Sequence, residues 1–268
     1  ELGRLLGYAP RELQGLPVQL LMADPDESAR MTAEMRVALA EGRAYEGEHR
    51  FLRRQGSTFW GQVHASQVRV GQPEAGTVWT LGDITAQVTS RHQLEWSATH
   101  DALTGLLNRR GFEERMERFV EGRLRRPTAL LIIDLDHFKP INDSAGHQAG
   151  DAMLQAIARA LNEGVRASDA VGRLGGDEFA VLLEGCPPQW AQRLAQKLLE
   201  RVRAVQVSWN GQRLQVSASI GLAMWDDGMG STHHWIHAAD LACYEAKRTG
   251  RAQVRQSTAE PVGEALPG

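Results

Sequence analysis

The stretch GRLGGDEFAVLLEG, residues 172–185, sets two glycines and two carboxylates between two apolar runs. DAVGRL and EFAVLL read as the strands of a buried hairpin, with Gly175 and Gly176 as its turn. A turn needs only the glycines and a small polar residue after them. Asp177 and Glu178 repel each other and add nothing to a core, so their position calls for something positive nearby.

Upstream, TALLIIDLDHFKPINDSAGHQAGD supplies a counterpart. TALLIIDLDHF reads as a buried strand ending in acids, with a short loop from Asp136 to Lys139 before the next segment. Backbone N–H groups of such a loop can face an anion, and Lys139 adds positive charge. Asp134 at one strand end and Asp177 at the hairpin tip can face each other on neighbouring strands. Mg²⁺ takes one or two protein carboxylates plus phosphate oxygens, and paired glycines let backbone approach a phosphate closely. The alternative is that Asp134 and Asp136 cap a strand while Asp177 and Glu178 solvate a turn. It accounts for each motif singly but poorly for all of them together.

The chain has 268 residues, room for two domains with their own cores. Its 42% hydrophobic and 24% charged content is that of a soluble globular protein. Thirty basic and 33 acidic residues give a net charge of −3. That balance argues against a surface built for nucleic acid. No apolar stretch is long enough to span a membrane and no signal peptide opens the chain. Cys186 and Cys243 lack metal-ligand spacing and read as small apolar residues in a reduced, cytoplasmic setting. The chain starts without Met at ELGRLLGYAP and reads as part of a longer protein, for which membrane attachment of the parent is left open. Ser257–Gly268 reads as a disordered tail or a tether to a further effector domain.

Before residue 87, APRELQGLPVQLL reads as short helices and DESARMTAEMRVALAEG as one amphipathic helix, with Met31, Met35 and Leu39 on a face. YEGEHRFLRRQGSTFWGQVHASQVRV reads as two strands, where Trp60, Val63, Ala65 and Val68 alternate imperfectly, and GTVWTLGDIT as a third. Ala86–Thr99 reads as a connecting helix able to pair with its copy in a dimer. THDALTGLLNRRGFEERMERFVEG opens the second domain, with Asp101 or Thr104 as helix N-cap. The helices AGDAMLQAIARALNEG, PPQWAQRLAQKLLERVRAV and STHHWIHAADLACYEAKRTG follow. VSWNGQRLQVSASIGLAMW is a hairpin turning at Asn210-Gly211. The fold class is therefore mixed α/β (α+β). His233 and His237 have metal-like spacing but no third ligand, and read as a solvated helix start. The tryptophans are dispersed and read as packing anchors.

RLGGDEF at 173–179, DALTGLLNRR at 101–110, IDLDHFKPIND at 133–143, GHQAGD at 146–151 and ADLACYEAKRTGR at 239–251 together resemble the GGDEF domain of diguanylate cyclases. The resemblance covers residues 99 to 255, with the motifs in the family's order. It implies a central sheet flanked by helices, palm-like as in nucleotide cyclases, and condensation of two GTP into cyclic di-GMP with release of two pyrophosphates. Carried over, Asp134 and Asp177 would bind Mg²⁺ (or Mn²⁺) with the Leu135 carbonyl. Asn142 and Asp151 would read the guanine, and Lys139, Lys247 and Arg251 would hold the phosphates. Glu178 would lie beside the reaction centre, with Asp177 as general base. RASD, Arg166 to Asp169, matches the family's inhibitory site, where the product binds.

LLGYAPRELQGLPVQLLMADPDE, FLRRQGSTFW and GDITAQ resemble a PAS domain with its closing Asp-Ile-Thr motif. The family's fold begins with two strands ahead of LLGY, so this domain reads as N-terminally incomplete. Its ligand is left open. His49 and His64 are placed for haem but read as structural, and the absence of cysteine before Cys186 excludes a flavin–cysteine photocycle. The expected organisation is a PAS-like domain at 1–87, a linker helix at 88–100, a GGDEF domain at 101–256 and a tail at 257–268. The expected protein is a homodimeric cyclase under PAS control. The rival reading is a catalytically silent GTP- or cyclic-di-GMP-binding module that regulates a further domain.

Overall fold

The computed structural model describes residues 1–72, 75–122 and 126–258. It divides into two units, Glu1–Leu94 and the chain from Glu95 onward. Ten residues of the expected tail, 259–268, lie outside the described residues.

In the first unit, α1 (Leu2–Leu6) ends at Gly7, whose φ of 77° suits glycine. A 3-10 turn, Val18–Leu21, precedes α2 (Pro25–Ala40). Asp24 caps α2 by accepting from the Asp26 N–H at 2.9 Å, and Pro25 occupies the first turn. Strands β1 (Tyr45–Leu52), β2 (Thr58–Gln67) and β3 (Thr77–Asp83) form an antiparallel sheet in that order. The imperfect alternation in β2 has a simple resolution. Phe59, Gly61, Val63 and Ala65 share the buried parity, which puts Trp60 on the other face, while Val68 beyond the strand end is exposed. Leu6, Met31, Phe51, Phe59 and Val63 fill the core. His49 has both ring nitrogens in use, against Tyr45 Oη at 2.7 Å and Glu27 Oε1 at 3.1 Å. Its structural reading therefore has a concrete basis, while His64 is exposed.

Helix α3 (Thr85–Thr99) contains the division between the units. It starts before the expected linker, at Thr85, whose N–H donates to Asp83 Oδ1 at 2.9 Å. Of its side chains, Val88 is buried, while Leu94 and Trp96 are exposed.

The second unit runs α4 (Arg109–Glu121), β4 (Ala129–Asp136), α5 (Phe138–Ala145), α6 (His147–Asn162), β5 (Ala170–Gly175), β6 (Glu178–Leu183) and α7 (Pro188–Ala204). Then come β7 (Val207–Trp209), β8 (Gln212–Leu214), β9 (Ser217–Met224), α8 (Thr232–Arg248) and β10 (Val254–Gln256). The central sheet has the order β10-β9-β4-β6-β5, with β10 parallel to β9 and the other pairs antiparallel. β7 and β8 form a separate hairpin turning at Asn210 and Gly211, both at positive φ as a two-residue turn requires. Alternate residues of β4 and β6 feed two cores. Leu131, Ile133, Phe179 and Val181 pack with α6 and α7, and Leu130, Ile132, Ala180 and Leu182 with α4 and α8. Covered on both faces, β4 is apolar from Ala129 to Ile133 and turns acidic at its C-terminal end, at Asp134 and Asp136.

The N-cap of α4 is neither Asp101 nor Thr104. Asn108 takes that place, its Oδ1 accepting from the Gly111 N–H at 2.9 Å. The residues between Thr99 and Asn108 form a turn and isolated bridges instead of a helical start. Trp235 behaves as the expected packing anchor, buried with Nε1 donating to the Ala223 carbonyl at 2.9 Å. Trp190 does not, being 58% exposed. His233 and His237 are exposed near the start of α8, which Ser231 caps. No helix among the described residues is long and apolar enough to cross a membrane.

Candidate active site

The β4–β6 ladder brings the acids together. Asp134 and Glu178 are directly opposed in its register, and one residue further the Leu135 N–H donates to the Asp177 carbonyl at 3.2 Å. The strands meet at a sharp turn because Gly175 and Gly176 take φ of 151° and 49°, the left-handed side that glycine enters without a Cβ penalty. Arg173 holds this turn. Its Nε and Nη2 donate to the Gly176 carbonyl at 3.0 and 2.8 Å, and its Nη1 donates to both oxygens of Asp101 at 3.1 and 3.2 Å. Asp101 also accepts from the Thr104 N–H at 2.9 Å and hydroxyl at 2.6 Å. The DALTG segment thus clamps the glycine turn, a role its sequence does not announce.

Charge is concentrated at this edge. Burial pushes the Asp134 carboxyl above its ordinary value, working against the hydrogen bond from Lys247 and assisted by Asp177 and Asp136. Burial also raises Glu178, with Asp134 adding to it and Arg109 opposing. Arg109 Nη2 stands 3.6 Å from Glu178 Oε2. Lys247 Nζ lies 2.5 Å from Asp134 Oδ2. Burial pulls Lys247 down, but the bond to Asp134 outweighs it and holds the ammonium above its usual range. Lys247 reaches this point because α8 lies directly on β9. A Cβ at Gly221 would collide with the Ala239 carbonyl and the Cys243 N–H of α8.

The strand runs two residues beyond Asp134, and a single residue, His137 at φ 58°, joins it to α5. The expected loop from Asp136 to Lys139 is thus shorter still. Lys139, Asn142, Asp151, Arg173, Gly176 and Asp177 share a cavity of about 310 Å³. Asn142 lies over the start of α6 so closely that a Cβ at Gly150 would meet its Oδ1. Asp151 is exposed beside it.

Arg251 follows α8 in a left-handed turn, with φ of 61° and its N–H donating to the Ala246 carbonyl at 2.9 Å. Asp136 anchors that turn to β4. Buried, it accepts from the Ser219 hydroxyl at 2.7 Å and from the Ala252 N–H at 3.0 Å. Two-residue spacing puts Asp136 on the same strand face as Asp134, and this was the available signal for it. Asp101, Arg109 and Arg173 had no comparable signal.

The donor set suits a hard divalent cation. Asp134 and Asp177 could supply carboxylates, and Asp134 is destabilised as an anion by burial and by its acidic neighbours, which a cation would relieve. The described residues hold no cluster of three or more His, Cys, Asp or Glu set to hold a metal.

Arg166 and Asp169 are not part of this cluster. They precede β5, whereas the glycine turn follows it, so the length of that strand separates them. The Arg166 N–H donates to Asp169 Oδ2 at 3.0 Å and the Asp169 N–H to the Arg166 carbonyl at 3.0 Å, closing a tight turn.

The model for the diguanylate cyclase GGDEF domain matches residues 98–253, and the PAS fold model matches residues 1–77. The chain is 39% identical over 181 residues to the probable diguanylate cyclase DgcE of Escherichia coli K12, covering 67% of this chain and 16% of that protein. It is 37% identical over 163 residues to the probable diguanylate cyclase DgcC of the same strain, covering 60% of this chain and 44% of that one. The chain thus spans less than half the length of these curated relatives. The crystal structure of the GGDEF domain of DgcB from Caulobacter crescentus, in complex with c-di-GMP, superposes with a TM-score of 0.58 at 28% identity. That likeness covers 60% of this chain and 94% of the DgcB domain.

Proposed function

The chain belongs to the diguanylate cyclase GGDEF-domain family, and from that premise we propose that it condenses two GTP into cyclic di-GMP as a homodimer, with a PAS-like domain governing the activity. The observation that carries the reading is the register of β4 against β6, where Asp134 faces Glu178 and Asp177 follows beside Leu135. Asp177 in turn lines a cavity with Lys139, Asn142 and Asp151.

In this reading Asp151 accepts from the guanine N1–H and amino group while Asn142 donates to O6, a pattern adenine cannot complete. Lys139, Lys247 and Arg251 take the β- and γ-phosphates. Lys247 now neutralises Asp134, and the incoming triphosphate offers it an alternative anion. Asp134, the Leu135 carbonyl and Asp177 would hold Mg²⁺ or Mn²⁺, which when bound supplies the charge that stabilises the leaving pyrophosphate. The 3′-oxygen of one GTP forms a bond to the α-phosphorus of the other, and the bond from that phosphorus to the β-phosphate oxygen breaks. Asp177 takes the proton of the 3′-hydroxyl, and Glu178 shapes the charge beside it. Arg166 and Asp169 bind the product and restrain turnover.

Incubation with GTP and Mg²⁺ followed by chromatography tests the activity, and cyclic di-GMP with pyrophosphate is the expected outcome. GTP bound without any product would replace this reading with the silent regulatory module. Asp177→Asn should abolish product formation while circular dichroism shows an intact fold. Wild-type turnover in that variant would overturn the assignment of roles.

A further inference from the structure

Away from the catalytic cavity, the second unit carries a pocket of about 390 Å³ lined by Arg166, Asp169, Trp190, Arg193 and Lys197 among others. Trp190 is 58% exposed there, in the first turn of α7. An indole left largely in water forgoes the gain that covering its faces would bring. Its setting is ordered nonetheless. The Arg193 guanidinium, one turn along the same helix face, lies 4.2 Å from the ring centroid and is tethered by Nε donating to the Gln189 carbonyl at 3.3 Å. Two flat, polarisable groups are thus layered at the pocket wall.

The charges around them favour an anion. Arg166, Arg193 and Lys197 supply three cations. Of the acids on the same wall, Glu184 is engaged by Arg115 at 2.6 Å, and Asp169 accepts the Arg166 N–H. A flat, layered surface inside a cationic pocket fits an anionic ligand that carries an aromatic base, and stacking on such surfaces depends on the face of the base.

We propose that Trp190, with Arg193 layered on it, is the stacking platform for a guanine base of cyclic di-GMP bound at Arg166 and Asp169. This rests on the reading of those two residues as the product site and adds what grips the base. Arg166 supplies the bidentate clamp, and the α7 pair supplies the face.

Calorimetric titration with cyclic di-GMP tests the proposal, using the whole 268-residue chain with a non-hydrolysable GTP analogue in excess to fill the catalytic cavity. Trp190→Ala should weaken binding about ten-fold and Trp190→Phe by less, the order expected of a stacking surface. Cyclic di-UMP, with smaller bases, should bind wild type more weakly and lose less on Trp190→Ala. Weakening in Arg166→Ala with no change in Trp190→Ala would overturn the platform and leave the product site standing. No change in either variant, or no binding by wild type, would remove both. Circular dichroism of each variant checks that the fold is retained.

Discussion

At Gly150 the backbone of α6 passes so close to Asn142 of α5 that a methyl group would take the place of the amide oxygen. The absence of a side chain at position 150 leaves Asn142 the space it occupies at the cavity it shares with Asp151 and Lys139. Gly150→Ala must therefore push Asn142 aside or move α6. Overpacking of this kind costs about 1–3 kcal/mol. We expect the midpoint of denaturant unfolding to fall accordingly, and KM for GTP to rise about ten-fold, the loss of one well-placed hydrogen bond to the base. A wild-type KM in a destabilised Gly150→Ala variant would separate Asn142 from substrate recognition. The GHQAGD segment displays its glycine plainly, but not the side chain that demands it, eight residues earlier on another helix.

Among the elements, the link between DALTG and the glycine turn is the clearest case of a tertiary contact hidden from local pattern. Asp101 and Arg173 stand 72 residues apart in sequence, and an acid before Leu-Thr-Gly reads equally well as a helix cap. The hairpin itself was legible because two apolar runs around paired glycines are a local signal, as is Asn210-Gly211. β4 was legible through its unbroken apolar run, whereas its exact end was obscured by acids that look like loop residues. Asp136 belongs to the strand because Ser219 and Ala252 satisfy its carboxylate, and neither neighbour is visible from residue 136. The clamp has a measurable pH signature. Burial works to raise the Asp101 pKa, but the bonds from Thr104 and Arg173 outweigh it and hold the carboxyl below its ordinary value. A depressed folded pKa contributes stability that is present above the unfolded value, about 3.9. This contribution is lost as pH falls through the lower folded value. Asp101→Asn removes it. The difference in unfolding midpoint between wild type and Asp101→Asn should thus be larger at pH 7 than at pH 2.5, and a gap independent of pH would show that the ionised pair contributes nothing.

For the whole molecule, the deciding constraint on the proposed reaction is the symmetry of its product. Cyclic di-GMP contains two equivalent phosphodiester bonds related by a two-fold axis, while the proposed reading gives the described residues of each chain one set of catalytic acids, where β4 meets β6. Each GTP must serve as nucleophile toward its partner and as acceptor from it. Two copies meeting face to face satisfy both requirements at once, and one copy satisfies neither. The exposed Leu94 and Trp96 of α3 leave that helix apolar surface to share. Mass action then dictates the kinetics. Below the dissociation constant of the dimer, the initial rate of product formation should rise with about the second power of chain concentration, and specific activity should fall on dilution. Adding excess Asp177→Asn chain to a fixed amount of wild type should draw wild-type copies into mixed pairs. Such a pair can complete one bond but not the second, so cyclic product should decline while the linear, half-condensed dinucleotide accumulates. A rate strictly proportional to concentration through the dilute range, unaffected by the added variant, would mean that one chain closes both bonds, and the two-copy mechanism would have to be given up.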